Sequence, residues 1–212
     1  MVFALAQPFA LTGLTIGFIV AGALRHLAQA VTLRFVGPDL PQRPIARIGL
    51  HPLGILAACL TGTGFGNPRP TPTGLSRPRR QMCVLAGPLA VIVVGYLLLL
   101  LYHLWWPGER LSGLYLPSDV LRGAPGGAVG PGGQALFTAA VAMMGFGVIA
   151  LLPIPPADGW YLWNPPPSRL TVLLADRSVG AVILLLVLIV PVGDMPPAHR
   201  LLDLIGAPLL RA

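Results

Sequence analysis

The chain contains no lysine: all 14 of its basic residues are arginine. Nothing physical bars lysine from exposed sites, so this absence reads as compositional bias. Charge of either sign is scarce, with 7 acidic residues and 10% charged residues against 55% hydrophobic ones. Soluble domains carry about 25% charged residues. An ordinary water-facing surface is therefore excluded, and a mean hydropathy of +0.77 points to a helix bundle set in lipid. There are only 2 cysteines, Cys59 and Cys83, both inside apolar segments, which argues against a disulfide framework. The net charge of +7 does not imply nucleic acid, because no basic stripe is interleaved with surface aromatics. The arginines fall instead between apolar runs, where they meet anionic headgroups and set topology.

A membrane-crossing helix needs about 20 apolar residues. Spans are expected near residues 8–36, 82–106, 134–152 and 178–195. In the first, Val2 to Leu24 is uncharged, the apolar pattern resumes beyond Arg25, and Pro8 suits a first turn. A cleaved signal peptide ending near Ala21-Gly22-Ala23 is disfavoured, because no positive charge precedes the apolar stretch. The second span ends in the pair Trp105-Trp106, as at an interface. The last, with Val179 to Gly193 as its core, is short for an ordinary bilayer.

Leu50 to Phe65 is apolar but short and rich in Gly, Pro and Thr. Arg34, Arg43 and Arg47 precede it, and Arg69, Arg77, Arg79 and Arg80 follow. A re-entrant segment over 50–66 keeps both basic loops on the cytoplasmic side. The N-terminus then lies outside, and a Gly/Pro-rich loop over 107–133 is external. Pro153 to Arg177 is cytoplasmic, with Leu170 to Leu174 along the interface. His199 to Ala212 is amphipathic and rests on the outer surface. The expectation is one polytopic all-α domain over 1–212, in a bacterial inner membrane.

Several stretches carry chemistry only when taken together. Arg25-His26-Leu27-Ala28-Gln29 sits in the first apolar helix. Leu50-His51-Pro52-Leu53-Gly54 and Phe65-Gly66-Asn67-Pro68-Arg69-Pro70 follow it, then Arg77-Pro78-Arg79-Arg80 and Ala86-Gly87-Pro88-Leu89-Ala90. Last comes Leu151-Leu152-Pro153-Ile154-Pro155-Pro156-Ala157-Asp158-Gly159. In this order they resemble the site-2 protease family of intramembrane zinc metalloproteases. The resemblance implies a bundle of about four spans plus the re-entrant segment. It places Arg25 to Ala30 in the zinc-helix slot, and Asp158 at the third ligand.

The departures remove the chemistry that the resemblance implies. In His-Glu-x-x-His two histidines share a helix face and the glutamate activates water. Here those ligand positions are Arg25 and Gln29, and the base position is His26. Neither guanidinium nor amide replaces imidazole, and His26 points about 100° away around the helix. A catalytic zinc wants about three protein ligands. The family's asparagines are replaced by Val91 and Ala150, and Trp160 stands where a second glycine is usual. No metal and no cofactor are therefore expected, and no residue is assigned as catalytic. Arg25, His26, Gln29 and Asp158 form a vestigial site, in which Arg25 pairs with Asp158 and Gln29 accepts a further hydrogen bond.

Plainer readings stand beside these. Arg25 alone could be a snorkelling interfacial arginine. His26, His51 and His103 are more often surface or packing residues than ligands. Gly13 and Gly17 make a Gly-xxx-Gly pair that permits close helix packing, as do Gly87 and Pro88. The expected function is a pseudoprotease that binds transmembrane helices of other membrane proteins, as a scaffold, assembly factor or accessory subunit of a larger complex. Two alternatives are kept: an active metallopeptidase with a rearranged site, and a channel-like or cofactor-binding subunit using His26, His51 or His103.

Overall fold

The computed structural model describes residues 4–37, 50–67, 74–107, 115–122, 130–163 and 168–211. Their regular structure is helical: α1 (Pro8–Val36), α2 (Pro52–Thr61), α3 (Arg77–Trp105), α4 (Pro117–Leu121), α5 (Pro131–Ala150), α6 (Asp158–Trp163), α7 (Arg169–Ala175), α8 (Arg177–Ile189) and α9 (Pro197–Arg211). The only bridges among these residues are two isolated antiparallel ones, Leu50 with Gly66 and Val192 with Met195.

Proline stands in the first turn of α1, α2, α3, α4 and α5, as the first residue of each except α3, where Pro78 is second. At the first turn its missing N–H costs nothing and its fixed φ is already helical. His51 Nδ1 accepts from Leu53 N at 3.2 Å to cap α2. Gly62, at φ 80°, ends that helix in the left-handed region that a glycine adopts without strain. Hydroxyls inside the apolar helices are satisfied locally. Thr12, Thr15 and Thr138 each donate to the carbonyl four residues back, which a helix in lipid requires.

Three helices, α1, α3 and α5, are long and apolar enough to cross a bilayer, and by length and composition they mark a membrane protein. The fourth expected span, near 178–195, holds a shorter apolar helix. α8 has 13 residues, or about 20 Å of rise, against a hydrocarbon core of about 30 Å. The chain then turns through Gly193 (φ 78°) instead of continuing.

The three long helices form the core, with α5 innermost. Of its most apolar window 89% is buried, against 44% for α1 and 33% for α3. This explains why α5 is apolar all round whereas α1 and α3 leave one face open. Ile16, Ile19 and Val20 of α1, and Val93, Leu97 and Leu104 of α3, are exposed. Gly13 and Gly17 seat α1 directly on α5, so their partner lies within the chain. A Cβ on Gly17 would lie 2.7 Å from the Ala139 carbonyl, and one on Gly13 would strike Thr138 and Ala135. The matching order of these contacts makes α1 and α5 parallel. α3 runs antiparallel to α5: Gly95 meets Ala140 and Met144, and Gly147 meets Pro88 and Ile92.

The segment around α2 doubles back. Leu50 pairs with Gly66, Asn67 Nδ2 donates to the Leu50 carbonyl at 3.3 Å, and a Cβ on Gly54 would strike the Phe65 carbonyl. Its two ends therefore lie together.

The 107–133 segment departs from a plain external loop. Residues 108–114 and 123–129 lie outside the described residues, but α4 within it is buried, with Val120 and Leu121 fully covered. That apolar pair packs under α9 and against α5, and its burial outweighs the turn-rich composition on either side.

Candidate functional site

A buried charge in an apolar helix must find a partner, and Arg25 finds one at the opposite side of the core. Arg25 and Gln29 lie one turn apart on α1, so they share a face. Asp158 opens α6, after a turn in which Pro155 and Pro156 are buried. Gly159 permits that turn, since a Cβ there would run into the Leu151 and Leu152 carbonyls.

Arg25 is 1% exposed and Asp158 2%. Nε of Arg25 donates to Asp158 Oδ2 at 2.6 Å and Nη2 donates to Oδ1 at 2.5 Å. Two parallel charge-assisted bonds of this kind are the strongest form of the pair. Arg25 Nη1 donates to the Asn67 carbonyl at 3.2 Å, which ties in the exit of the α2 hairpin. Gln29 Nε2 donates to Asp158 Oδ2 at 3.1 Å and to the Val84 carbonyl at 3.5 Å. Gly87 makes room from α3: a Cβ there would lie 2.8 Å from Arg25 Cγ and 2.9 Å from Gln29 Nε2. Thus α1, α3, the hairpin exit and the α5–α6 turn all meet at the Arg25–Gln29–Asp158 cluster.

One detail of the sequence reading is corrected. Gln29 was expected to accept a hydrogen bond at this site, and it donates instead. The physical reason is that an ionised carboxylate only accepts. Gln29 Oε1 is left buried with no hydrogen-bond partner.

The remaining histidines do not converge on the site. His26 is buried, on a different side of α1 from Arg25. His51 caps α2 and packs its ring 5.4 Å from that of Phe65. His103 lies in the last turn of α3, beside Tyr102.

The zinc that the family resemblance implies can be tested against these residues. Arg25 offers a fixed positive charge and five N–H donors with no lone pair. Both Asp158 oxygens already accept from Arg25 or Gln29. Among the described residues no three His, Cys, Asp or Glu side chains gather as a ligand set. The donor set does not fit a divalent cation.

A second polar site was missed from sequence. Asp203 of α9 accepts from Ser118 N at 2.8 Å and from Ser118 Oγ at 2.7 Å, fastening α9 to α4. Next to it, His199 is 2% exposed and Thr63 1%. Neither ring nitrogen of His199 nor Thr63 Oγ1 makes a hydrogen bond of ordinary geometry. Burial pushes the His199 imidazole below its usual range, and Arg122 adds to this. The Thr61 backbone and Asp203 act in the opposite direction. The only sequence signal was a pair of polar residues, four apart, on an amphipathic helix, a pattern shared by countless surface helices.

No protein-family model matches this chain, and neither a curated protein nor a solved structure matches it.

Proposed function

We propose that this chain is a non-catalytic, site-2-protease-like membrane protein. It holds transmembrane helices of partner proteins as a scaffold, assembly factor or accessory subunit of a larger membrane complex. One observation carries the reading: the slots that match the family's zinc ligands hold a buried Arg25–Asp158 pair. A lone charge at the bilayer centre costs at least ~2.5–3.5 kcal/mol on insertion scales. The pair removes that cost while cross-linking the same helix and turn that a metal would join. Hydrolysis would need a polarising cation or an activated water where the guanidinium now sits. The site keeps its architecture and loses its reagent.

The exposed apolar side chains around the α2 hairpin, among them Ile55, Leu56 and Leu60, offer a surface on which a foreign helix can lie. The orientation in this reading places the N-terminus outside a bacterial inner membrane, with the arginine-rich segments cytoplasmic.

Two measurements test the proposal. Elemental analysis of the purified protein is expected to show no stoichiometric zinc; about one zinc per chain, lost in Asp158→Ala, overturns it. Photo-crosslinkers placed at Leu56 and Leu60 are expected to capture a membrane-embedded partner that a crosslinker at Leu104 misses. Equal capture at all three positions removes the case for a dedicated helix-binding face.

A further inference from the structure

We propose that the junction of α2, α4 and α9, midway along the bundle, is a proton-binding site with His199 as the acceptor. Proton binding there and the docking of α9 on α4 exclude each other.

Two segments enter the bundle from opposite ends and meet at this junction. Both ends of the α2 segment lie beside Arg25, toward the end of α5. The segment that holds α4 is anchored at the start of α5, since a Cβ on Gly132 would lie 3.2 Å from the Trp106 ring. Their tips touch: a Cβ on Gly62 would strike the Leu121 carbonyl. Gly145 of α5 faces both tips and α9 as well. A Cβ there would lie 3.5 Å from Leu121 Cδ1 and from Thr63 Oγ1, and 3.8 Å from Leu202 Cδ2. Height follows from α3, whose Ile92 lines one crevice with Gly145 and Leu202. Ile92 lies about 15 Å from Met82 and about 20 Å from Trp105 along that helix. An ionisable side chain held midway along a bundle of apolar helices is expensive, and function is the usual reason for keeping it.

His199 is 2% exposed, and neither ring nitrogen makes a hydrogen bond of ordinary geometry. The charged groups that face it are Arg122, at the end of α4, and Asp203, on its own helix; the end of α2 presents the Thr61 backbone. α5 carries no titratable side chain, and α8 none beyond Arg177. His199 and Asp203 are four residues apart and share a face of α9. The Asp203 carboxylate is committed to α4, where it accepts from Ser118 N at 2.8 Å and from Ser118 Oγ at 2.7 Å. An imidazolium one turn away draws the same carboxylate, and its charge-assisted bond is stronger than one from a neutral hydroxyl. Satisfying the proton therefore loosens α9 from α4. While α9 is docked, the ring nitrogens are closed to water, and Arg122 repels a second cation. Proton uptake favours an undocked α9 and docking favours the neutral ring, which is one linkage seen from two sides.

The test follows the full chain in neutral detergent from pH 8 to pH 4. Ring-labelled histidine is read by nuclear magnetic resonance and backbone hydrogen exchange is read in parallel. His199→Gln assigns the His199 signals by their loss. The ring is expected to take up a proton within this range. Amides of α4 and α9 should lose protection with the same midpoint, while those of α5 keep theirs, and His199→Gln should abolish that loss. Ser118→Ala weakens the docking of α9 and should raise the proton affinity of His199 about tenfold, the equivalent of one hydrogen bond to a charged group. Gly87→Ala strains the Arg25–Asp158 end instead, and should change that affinity less than about twofold. A ring that stays neutral to pH 4, or one that titrates with no change in α9, overturns the proposal. Equal shifts in Ser118→Ala and Gly87→Ala reduce the effect to general loosening and overturn it too, as does no shift in Ser118→Ala. The wild-type comparison of ring and amides needs no variant, so it decides the matter if Ser118→Ala does not fold.

Discussion

Two polar cross-links among the described residues, one buried and one partly buried, are built to different standards. At Asp158 every carboxylate oxygen is engaged by donors from two residues of one helix face, and one atom of the cluster, Gln29 Oε1, is left without a partner. At Asp203 the carboxylate is also doubly engaged, by Ser118, but its neighbours His199 and Thr63 are buried with polar atoms unmatched. The first link joins elements of the core; the second pins a peripheral helix to a five-residue one. Buried polar groups rigidify a structure when fully satisfied and weaken it when only partly so. The Asp158 end should therefore hold the bundle together, whereas the α9 end should open first.

The largest expected effect tests the first half of that contrast. Arg25→Leu and Asp158→Leu should each cost about 3–5 kcal/mol, because each leaves the other charge buried and alone. The double variant should cost less than the sum, and thermal unfolding of all four proteins closes the cycle. Strictly additive losses would mean that the two residues do not stabilise each other, and the contrast between the two ends would collapse.

Next in size is the packing around the pair. Gly87→Ala puts a methyl group 2.8 Å from Arg25 Cγ and 2.9 Å from Gln29 Nε2. Both neighbours are side chains, yet both are held by Asp158, so neither yields freely. A loss of about 1–3 kcal/mol is expected, as for an overfilled core. A wild-type melting temperature would show that the Asp158 end has slack that the geometry denies.

This end was legible in the sequence because its signals were strong ones. A charge inside an apolar helix stands out, and Arg25, Gln29 and Asp158 came in the order of a known constellation. The doubling back of 50–66 was legible from the arginines on either side of it. The α9 end was illegible for the opposite reason. α4 is buried through Pro117, Ser118, Val120 and Leu121, in a segment whose Gly and Pro content suggested an external loop. Ser118 and Asp203 are far apart in sequence and belong to no motif. The fourth expected span was already short for an ordinary bilayer, and α8 within it stops at Ile189. Composition registers hydrophobicity and does not say where a helix ends.

A smaller effect tests the α9 latch itself. Asp203→Ala removes the acceptor for both Ser118 bonds and should cost about 1.5 kcal/mol, the scale of hydrogen bonds to a charged group. Hydrogen exchange is the sharper measurement, since amides of α9 should lose protection while those of α5 keep theirs. Equal loss in both helices would mean that the two ends unfold as one unit, against the contrast drawn above.

The smallest expected effect is a pH dependence confined to the α9 end. His199 is held neutral by burial and by Arg122, with the Thr61 backbone and Asp203 opposing, so its folded pKa lies below the ordinary value of 6.5. Above that pH the imidazole is neutral in both states and contributes no slope. As pH falls through 6.5, the unfolded chain takes up a proton that the folded protein resists, so stability declines. The decline ends once the pH passes below the lowered folded value, where both states are protonated. His199→Leu fills similar space without titrating, and it should flatten this part of the stability profile while leaving the neutral-pH melting temperature close to wild type. The exchange rates of α9 amides should rise on mild acidification in the wild type and stay level in the variant. If both proteins lose stability in parallel below pH 6.5, the acid sensitivity lies in another group, and the unmatched imidazole is not what sets the α9 end apart from the Arg25–Asp158 end.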